Sequence, residues 1–220
     1  MLKTKDKILL IALRQLNEKG LDGVSIRSIA EELGISAGNL AYHFKNIDVI
    51  INALYMQLVD SLNQQIAEML DVKRMGIDEL LNQTEFTFKL MLEYKFLSLD
   101  FTAITRRTPE IKEHFRNLMM GRKSQIHFLF DRWISEGIFI EEKVDGMYDK
   151  FFITATIFFN GWVQDAQIQF NKTGEKTALF YSDIFINLII PFLTASGFKK
   201  YKEAMLNRGE TSVRLGNGEE

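Results

Sequence analysis

The chain has 220 residues, which fits one large domain or two small ones, and its 46% hydrophobic and 25% charged residues are typical of a globular protein. It has two prolines, which leaves room for long helices, and no cysteine, which excludes disulfides, thiolate nucleophiles and cysteine-ligated metal sites. The formal net charge of −2 excludes a strongly basic protein that binds nucleic acid indiscriminately, so any contact with DNA has to come from a local surface.

The N-terminus lacks the pattern of a secretory signal. Lys3, Lys5 and Lys7 precede a six-residue apolar run, Ile8–Leu13, which is shorter than a signal-peptide core of about 7–15 residues and has no small-residue cleavage site after it. The run Leu188–Leu193 is far shorter than the ~20 residues that span a bilayer. We therefore expect a cytoplasmic protein that does not associate with membranes.

Apolar residues recur at helical spacing along nearly the whole chain. The first helix carries Ile8, Ala12 and Leu16 on one stripe and ends at Gly20, and Ser25 and Ser36 are typical N-caps of two short helices that follow. The later helices are expected over residues 47–70, 77–93, 96–106, 108–137, 146–170 and 175–194, with a short one after Gly197. The sequence thus predicts an all-α protein of about nine helices, with one domain over 1–47, a second over 48–206 and a disordered tail over 207–220.

Residues 25–44 have the spacing of a helix-turn-helix, in which the second helix enters the major groove of DNA. The side chains expected to face inward and to set the angle between the two helices are Ile26, Ile29, Ala30, Leu33, Ile35, Leu40 and Phe44. The outward side of the second helix carries short polar and hydrogen-bonding residues, which can approach bases and phosphates closely. An ordinary corner between two helices has the same spacing, so the spacing alone leaves both interpretations open.

Three consecutive segments carry a more specific pattern: ILLIALRQLNEKG, VSIRSIAEELGIS and GNLAYHFKN. Over residues 4–50 the chain resembles the TetR family of bacterial transcription regulators. The resemblance implies an N-terminal three-helix helix-turn-helix DNA-binding domain, joined by a long helix to a C-terminal helical bundle for ligand binding and dimerisation. It also implies a repressor that binds a palindromic double-stranded DNA operator as a homodimer and responds to a small-molecule effector.

The resemblance assigns DNA contacts residue by residue. The residues concerned are Ser25, Arg27, Ser36, Ala37, Asn39, Tyr42, His43 and Lys45. Ser36, Ala37 and Asn39 are expected to face bases, and a bidentate contact between Asn39 and adenine is worth about 1–3 kcal/mol of discrimination. The other five are expected to contact phosphates, except that Arg27 can also reach a base edge.

The chain also departs from the family at three positions of this domain. Many relatives carry lysine, an aromatic residue and a second lysine where this chain has Ala37, Ala41 and Ile47. Residues 1–48 contain seven basic and six acidic side chains, a net charge of +1. We therefore expect weak phosphate binding by one copy, a shallow salt dependence and a requirement for two copies.

The helix expected over 146–170 carries two apolar stripes instead of one. The first comprises Phe151, Ala155, Phe158 and Trp162, and the second comprises Phe152, Thr156, Phe159 and Val163. A surface helix buries one stripe, so the second is expected, together with Ile184 and Leu188, to face a symmetric partner. A helix buried centrally in one subunit is the alternative; the resemblance favours the dimer, because the family generally pairs through its last two long helices.

Eighteen phenylalanines and nine methionines are many for this length. Core packing explains most of them, and the functional alternative is a cavity for an apolar small molecule, lined by Thr84, Phe88, Phe101, His127 and Asn160. A C-terminal bundle that recognises a protein partner through an exposed apolar patch is a further alternative. The three histidines follow no metal-binding spacing and no nucleophile elbow or phosphate-binding loop occurs, so we expect no catalytic residue, metal or cofactor.

Overall fold

The computed structural model describes residues 3–70 and 76–208, and ten α-helices lie in these ranges. They are α1 (Thr4–Lys19), α2 (Ile26–Leu33), α3 (Ala37–His43), α4 (Ile47–Met69), α5 (Ile77–Glu93), α6 (Lys95–Arg107), α7 (Pro109–Ser135), α8 (Met147–Gln169), α9 (Glu175–Asn187) and α10 (Ala195–Arg208). The described ranges contain no β-strand, and a single isolated bridge pairs Phe139 with Leu193. The all-α prediction is confirmed.

Most helix ends lie within two residues of their predicted positions, and the largest difference is at α9. This helix ends at Asn187, and a short 3₁₀ turn over Ile190–Phe192 follows, because Pro191 has no N–H to continue the α-helical hydrogen bonds. Of the tail predicted to be disordered, Asn207 and Arg208 belong to α10, and residues 209–220 lie outside the described residues. Among the helices described, none is long and apolar enough to span a bilayer.

The chain divides into two compact units that are not contiguous in sequence. The N-terminal unit combines residues 1–61 with 93–115, and the bundle unit combines 62–92 with 116–220. The prediction placed the second domain over residues 48–206, whereas this division places most of α4, α6 and the start of α7 in one unit with α1 to α3.

Polar contacts within the N-terminal unit explain why α6 belongs to it. The Asn17 amide of α1 donates to the carbonyl of Glu93 at 2.7 Å and accepts from the backbone N–H of Phe96 at 3.1 Å. At the other end of α6, Arg107 pairs with Asp48 of α4 at 2.7 Å. Both ends of α6 are therefore bonded to helices that also hold the helix-turn-helix.

Each unit has its own apolar core. In the N-terminal unit, the largest fully buried side chains come from α1 to α4, α6 and α7: Ile8, Leu16, Ile29, Leu40, Ile50, Ile51, Leu54, Phe96, Ile104 and Ile111. In the bundle unit, one cluster surrounds Phe130, Trp133 and Tyr148, and an aromatic cluster surrounds Phe88 and Trp162. Most of the phenylalanines and tryptophans of the bundle unit therefore serve packing.

Candidate functional site

Local hydrogen bonds define both ends of α2 and the start of α3. The Ser25 hydroxyl accepts from the backbone N–H of Ser28 at 3.1 Å, and the Ser28 hydroxyl accepts from the backbone N–H of Ser25 at 3.0 Å. Gly34 ends α2 with φ +68°, a left-handed conformation that other residues adopt only at a cost. The Ser36 hydroxyl then accepts from the backbone N–H of Asn39 at 3.1 Å and caps α3. The turn that orients α3 is thus held by backbone geometry and two serine caps.

The inward side of this motif packs as the sequence predicts. Ile29, Ala30, Leu40 and Phe44 are buried, while Ile26, Leu33 and Ile35 are half-buried. Because the core is made of medium-sized side chains from both helices, the two helices pack closely and α3 lies at the surface.

A buried polar network, which sequence analysis missed, attaches α2 to α1. Gln15 is 2% exposed; its amide donates to the carbonyl of Ser28 at 3.2 Å and to the carboxylate of Glu32 at 2.8 Å. Its amide oxygen accepts from the Ser28 hydroxyl at 2.9 Å. The sequence feature that could have indicated this network is the position of Gln15, next to Leu16 on the buried side of the first helix.

The residues expected to contact bases lie on the exposed surface of α3. Ser36, Ala37, Asn39 and Tyr42 are exposed, and Tyr42 reaches 86% exposure. Among the described residues the Asn39 side-chain amide has no hydrogen-bond partner, so its donor and acceptor are both available for an adenine edge. His43 is half-buried, and its ring meets the Tyr42 ring edge-to-face at 5.4 Å between centroids.

The basic residues around this surface differ in whether their charges are paired with acidic side chains. Arg14 is paired with Glu18 at 2.9 Å and with Glu32, and bonds from the Gln15 amide and Arg14 lower the pKa of Glu32. In contrast, Arg27 and Lys45 are exposed and form no ion pair with any described residue. The exposed lysines of the N-terminal end are Lys3, Lys5 and Lys7. Of the predicted DNA contacts, Arg27 and Lys45 therefore carry charges that no described residue pairs, whereas the nearby charge of Arg14 is paired.

The five predicted pocket residues are divided between the two units. Phe101 belongs to the N-terminal unit, where its ring packs against Phe115 at 4.8 Å, and the other four belong to the bundle unit. Phe88 is fully buried in the aromatic cluster and lies 4.9 Å from the Trp162 ring. Thr84 is buried, but its hydroxyl donates to the carbonyl of Leu80 at 2.7 Å within its own helix.

The two remaining pocket residues lie nearer the surface. His127 is half-buried and its Nε2 lies 2.8 Å from the carboxylate of Asp149, which also accepts from Lys123 at 2.9 Å. These contacts, chiefly the one with Lys123, lower the pKa of Asp149. Asn160 is exposed on α8. A cleft of about 240 Å³ in the bundle unit is lined by none of the five predicted residues; it is lined by Gly76, Ile77, Asp78, Glu136, Ile138, Lys200, Glu203, Ala204 and Asn207.

The residues of the predicted dimer face differ in burial, and two of them, Phe159 and Val163, pack within their own unit. Val163 is completely buried, and Phe159 packs between Phe88 at 5.0 Å and Phe185 at 4.4 Å. Phe152, Thr156 and Leu188 are half-buried, whereas Ile184 is exposed. Two adjacent stripes cover a wide arc of a helix, and the members of both that belong to the core clusters pack with residues of α5, α7 and α9 of the same unit.

The exposed apolar side of α8 lies one residue further along than predicted. Ile153, Ile157 and Ile168 are 57%, 67% and 81% exposed, and all lie on one side of the helix. Gly161 lies between them, and a Cβ placed there would meet no atom within 4 Å. We call Ile153, Ile157, Gly161 and Ile168, together with Ile184 of α9, the outer α8–α9 face.

Two family models match the chain. Residues 8–54 match the model described as "Bacterial regulatory proteins, tetR family", and residues 57–201 match the one described as "Bacterial transcriptional repressor". The negative transcriptional regulator IcaR of the biofilm operon icaADBC, from Staphylococcus aureus, is 23% identical over 82% of this chain and 95% of its own length. The class D tetracycline repressor protein of Escherichia coli is 34% identical over 25% of each chain.

Solved structures show the same fold. A TetR-family transcriptional regulator from Marinobacter aquaeolei VT8 superposes with a TM-score of 0.83 at 20% identity, over 96% of this chain and 100% of that one. The ketosteroid transcriptional regulator KstR2 of Mycobacterium tuberculosis superposes with a TM-score of 0.64 at 15% identity, over 88% and 97%.

Proposed function

The chain belongs to the TetR family of bacterial transcriptional regulators, and we propose that it is a repressor that binds a near-palindromic operator as a homodimer and is controlled by a small apolar ligand. TetR-family regulators bind DNA and act as dimers. The observation that carries the proposal is the exposed polar surface of α3, held at a fixed angle by the serine caps and the buried motif core. The name of IcaR, a negative regulator, supports the choice of repression.

The proposed DNA contacts follow from the side chains that α3 and its neighbours expose. Asn39 reads a base edge, since its amide is free, and Ser36 still has a hydroxyl hydrogen to donate while its oxygen caps the helix. Tyr42, Arg27 and Lys45 contact phosphates, which sets the register of α3 without reading sequence.

The outer α8–α9 face is the proposed dimer interface. Its three exposed isoleucines on α8 and Ile184 on α9 form an apolar surface that water contacts unfavourably in a single chain. The open space at Gly161 allows a partner helix to approach closely. A two-fold dimer places two copies of α3 one helical turn of DNA apart, about 34–36 Å, which requires a near-palindromic site.

Ligand control is proposed as a shift between two states of the protein. A ligand changes operator affinity only by the ratio of its own affinities for the DNA-binding state and the other state. The helix α4 is continuous across residues 61 and 62, where the N-terminal unit ends and the bundle unit begins. It is a covalent route by which a change in the bundle can reach the helix-turn-helix, and α7, continuous across residues 115 and 116, is another.

Selection of bound duplexes from a random pool, at two salt concentrations, tests this function. We expect the enriched sequence to be a near-palindrome. Asn39→Ala is expected to relax preference at one position of each half-site, whereas Tyr42→Phe weakens binding to all sequences alike. Asn52→Ala, an exposed asparagine on α4, is the matched control and leaves the preference unchanged. An unselective pool with the unaltered protein, or a uniform loss of affinity with Asn39→Ala, contradicts the proposal.

A further inference from the structure

A charged residue occupies an apolar position on the inner side of α7. Buried and half-buried residues recur along this helix at helical spacing: Leu118, Arg122, Ile126, Leu129 and Trp133. Arg122 is only 9% exposed, although arginine is almost never buried to this extent unless it is paired with an acid. The sequence pattern alone would place an apolar residue there.

The partners of Arg122 are neutral. Its guanidinium donates to the amide oxygen of Asn63 on α4 and, at 2.8 Å, to the amide oxygen of Gln125. No carboxylate in the described part of the chain forms an ion pair with it, and burial lowers the pKa of Arg122. The adjacent Lys123, in contrast, is exposed and paired with Asp149.

A buried charge without a counter-charge destabilises the folded chain. Its presence here therefore calls for an anion that the described part of the chain does not supply. A guanidinium has five N–H groups, and Asn63 and Gln125 use two of them. The remaining N–H groups suit the two oxygens of a carboxylate, which arginine binds through paired hydrogen bonds. Leu118 and Ile126, one turn before and after Arg122, are half-buried and offer apolar surface beside that charge.

We propose that Arg122 binds the head group of an apolar monocarboxylic acid, and that such an acid is the ligand that controls this regulator. The proposal rests on the ligand control argued above and names the chemical class of the ligand. The carboxylate replaces the missing counter-charge, while the hydrocarbon part lies against the apolar residues of α7. A neutral molecule of the same shape leaves the guanidinium unpaired and binds more weakly.

Calorimetric titration of the full-length protein without DNA tests the proposal. The probes are decanoate, dodecanoate and 4-phenylbutanoate, each compared with the corresponding primary alcohol. We expect at least one acid to bind about 10-fold or more tightly than its alcohol, since charge-assisted hydrogen bonds are the strong ones. Arg122→Met should bring this ratio close to one, and Arg116→Met, an exposed arginine of the same helix, should leave it unchanged.

A second measurement needs no ligand. If the unpaired charge is kept for binding, Arg122→Met stabilises the free protein and raises its Tm by about 2–4 °C, because methionine fills the site without a desolvated charge. If Arg122 only cross-links α4 and α7, the same substitution lowers Tm. A lowered Tm, no binding of any of the three acids, or an acid-to-alcohol ratio that survives Arg122→Met overturns the proposal. These readouts do not use DNA, so their failure is distinct from a failure of operator selection.

Discussion

Replacing Ile157 by aspartate tests the proposed dimer interface at an exposed residue near its centre. In the single chain this side chain is 67% exposed, and in the proposed dimer it is buried against the partner. Aspartate keeps the helix and the internal packing of α8, because the substituted side chain points away from the core of its own unit. The substitution therefore changes the interface without removing core contacts.

The expected effect follows from the exposed fraction. Burying a whole isoleucine side chain is worth about 1.5–3 kcal/mol, so the exposed two-thirds is worth about 1–2 kcal/mol in each copy. Because each of the two copies contributes one Ile157, the free energy of dimerisation becomes less favourable by about 2–4 kcal/mol. The Kd for dimerisation then rises about 30- to 700-fold, and burial of two carboxylates adds to this.

Sedimentation equilibrium over a range of protein concentrations measures this Kd directly. Met120→Asp is the matched control, since Met120 is 65% exposed on α7 and lies outside the outer α8–α9 face. We expect the control to remain a dimer at concentrations at which Ile157→Asp is a monomer. An unaltered dimer with Ile157→Asp, or equal dissociation with Met120→Asp, refutes the assignment of this face.

Two further predictions concern the stability of the N-terminal unit. Gln15→Ala removes three hydrogen bonds between α1 and α2 and should lower the free energy of unfolding, measured by urea titration, by about 2 kcal/mol. The control Gln57→Ala, at an exposed position of α4, should have little effect. Equal effects of the two substitutions would contradict the role of Gln15. Burial raises the pKa of Tyr55 to about 12, so the folded state holds this proton more tightly than the unfolded state does. Its contribution to stability is complete below pH 10 and is lost as the pH rises to about 12. Tyr55→Phe removes this titrating group, together with the hydrogen bond to His114 Nδ1 at 2.8 Å. Its free energy of unfolding should therefore fall less steeply with pH between about 10 and 12 than that of the unaltered protein. The same slope in both proteins would contradict a raised pKa of Tyr55.

The helix-turn-helix could be predicted closely because its determinants are local. Ser25, Ser36 and Gly34 act on backbone groups within a few residues, and the inward residues follow from helical periodicity. The proposed DNA-contacting residues are exposed or half-buried as a consequence of the same periodicity. The position of α6 was not predictable in this way, because it depends on Asn17, which bonds to residues almost eighty positions further along the chain.

In the bundle unit, periodicity identified the helices but not the directions their side chains face. One residue step rotates a position by about 100° around a helix, so the choice between Phe152 and Ile153 as the exposed residue depends on how neighbouring helices pack. Likewise, the sequence alone favours a surface position for Arg122, and only the packed structure shows that the side of α7 carrying Leu118 and Leu129 faces inward.

 The burial of Arg122 is a property of the packed helices and not of its neighbours in sequence.

The sequence by itself determined the all-α class, most helix ends and the helix-turn-helix, because caps, glycines and apolar periodicity act over one or two turns of chain. Only the tertiary structure decided that α6 belongs with the DNA-binding helices and that Val163 faces inward while Ile157 faces out. It alone also shows that Arg122 is buried with no acidic partner among the described residues. These features depend on contacts between residues far apart in sequence, and such contacts form only when the helices pack together.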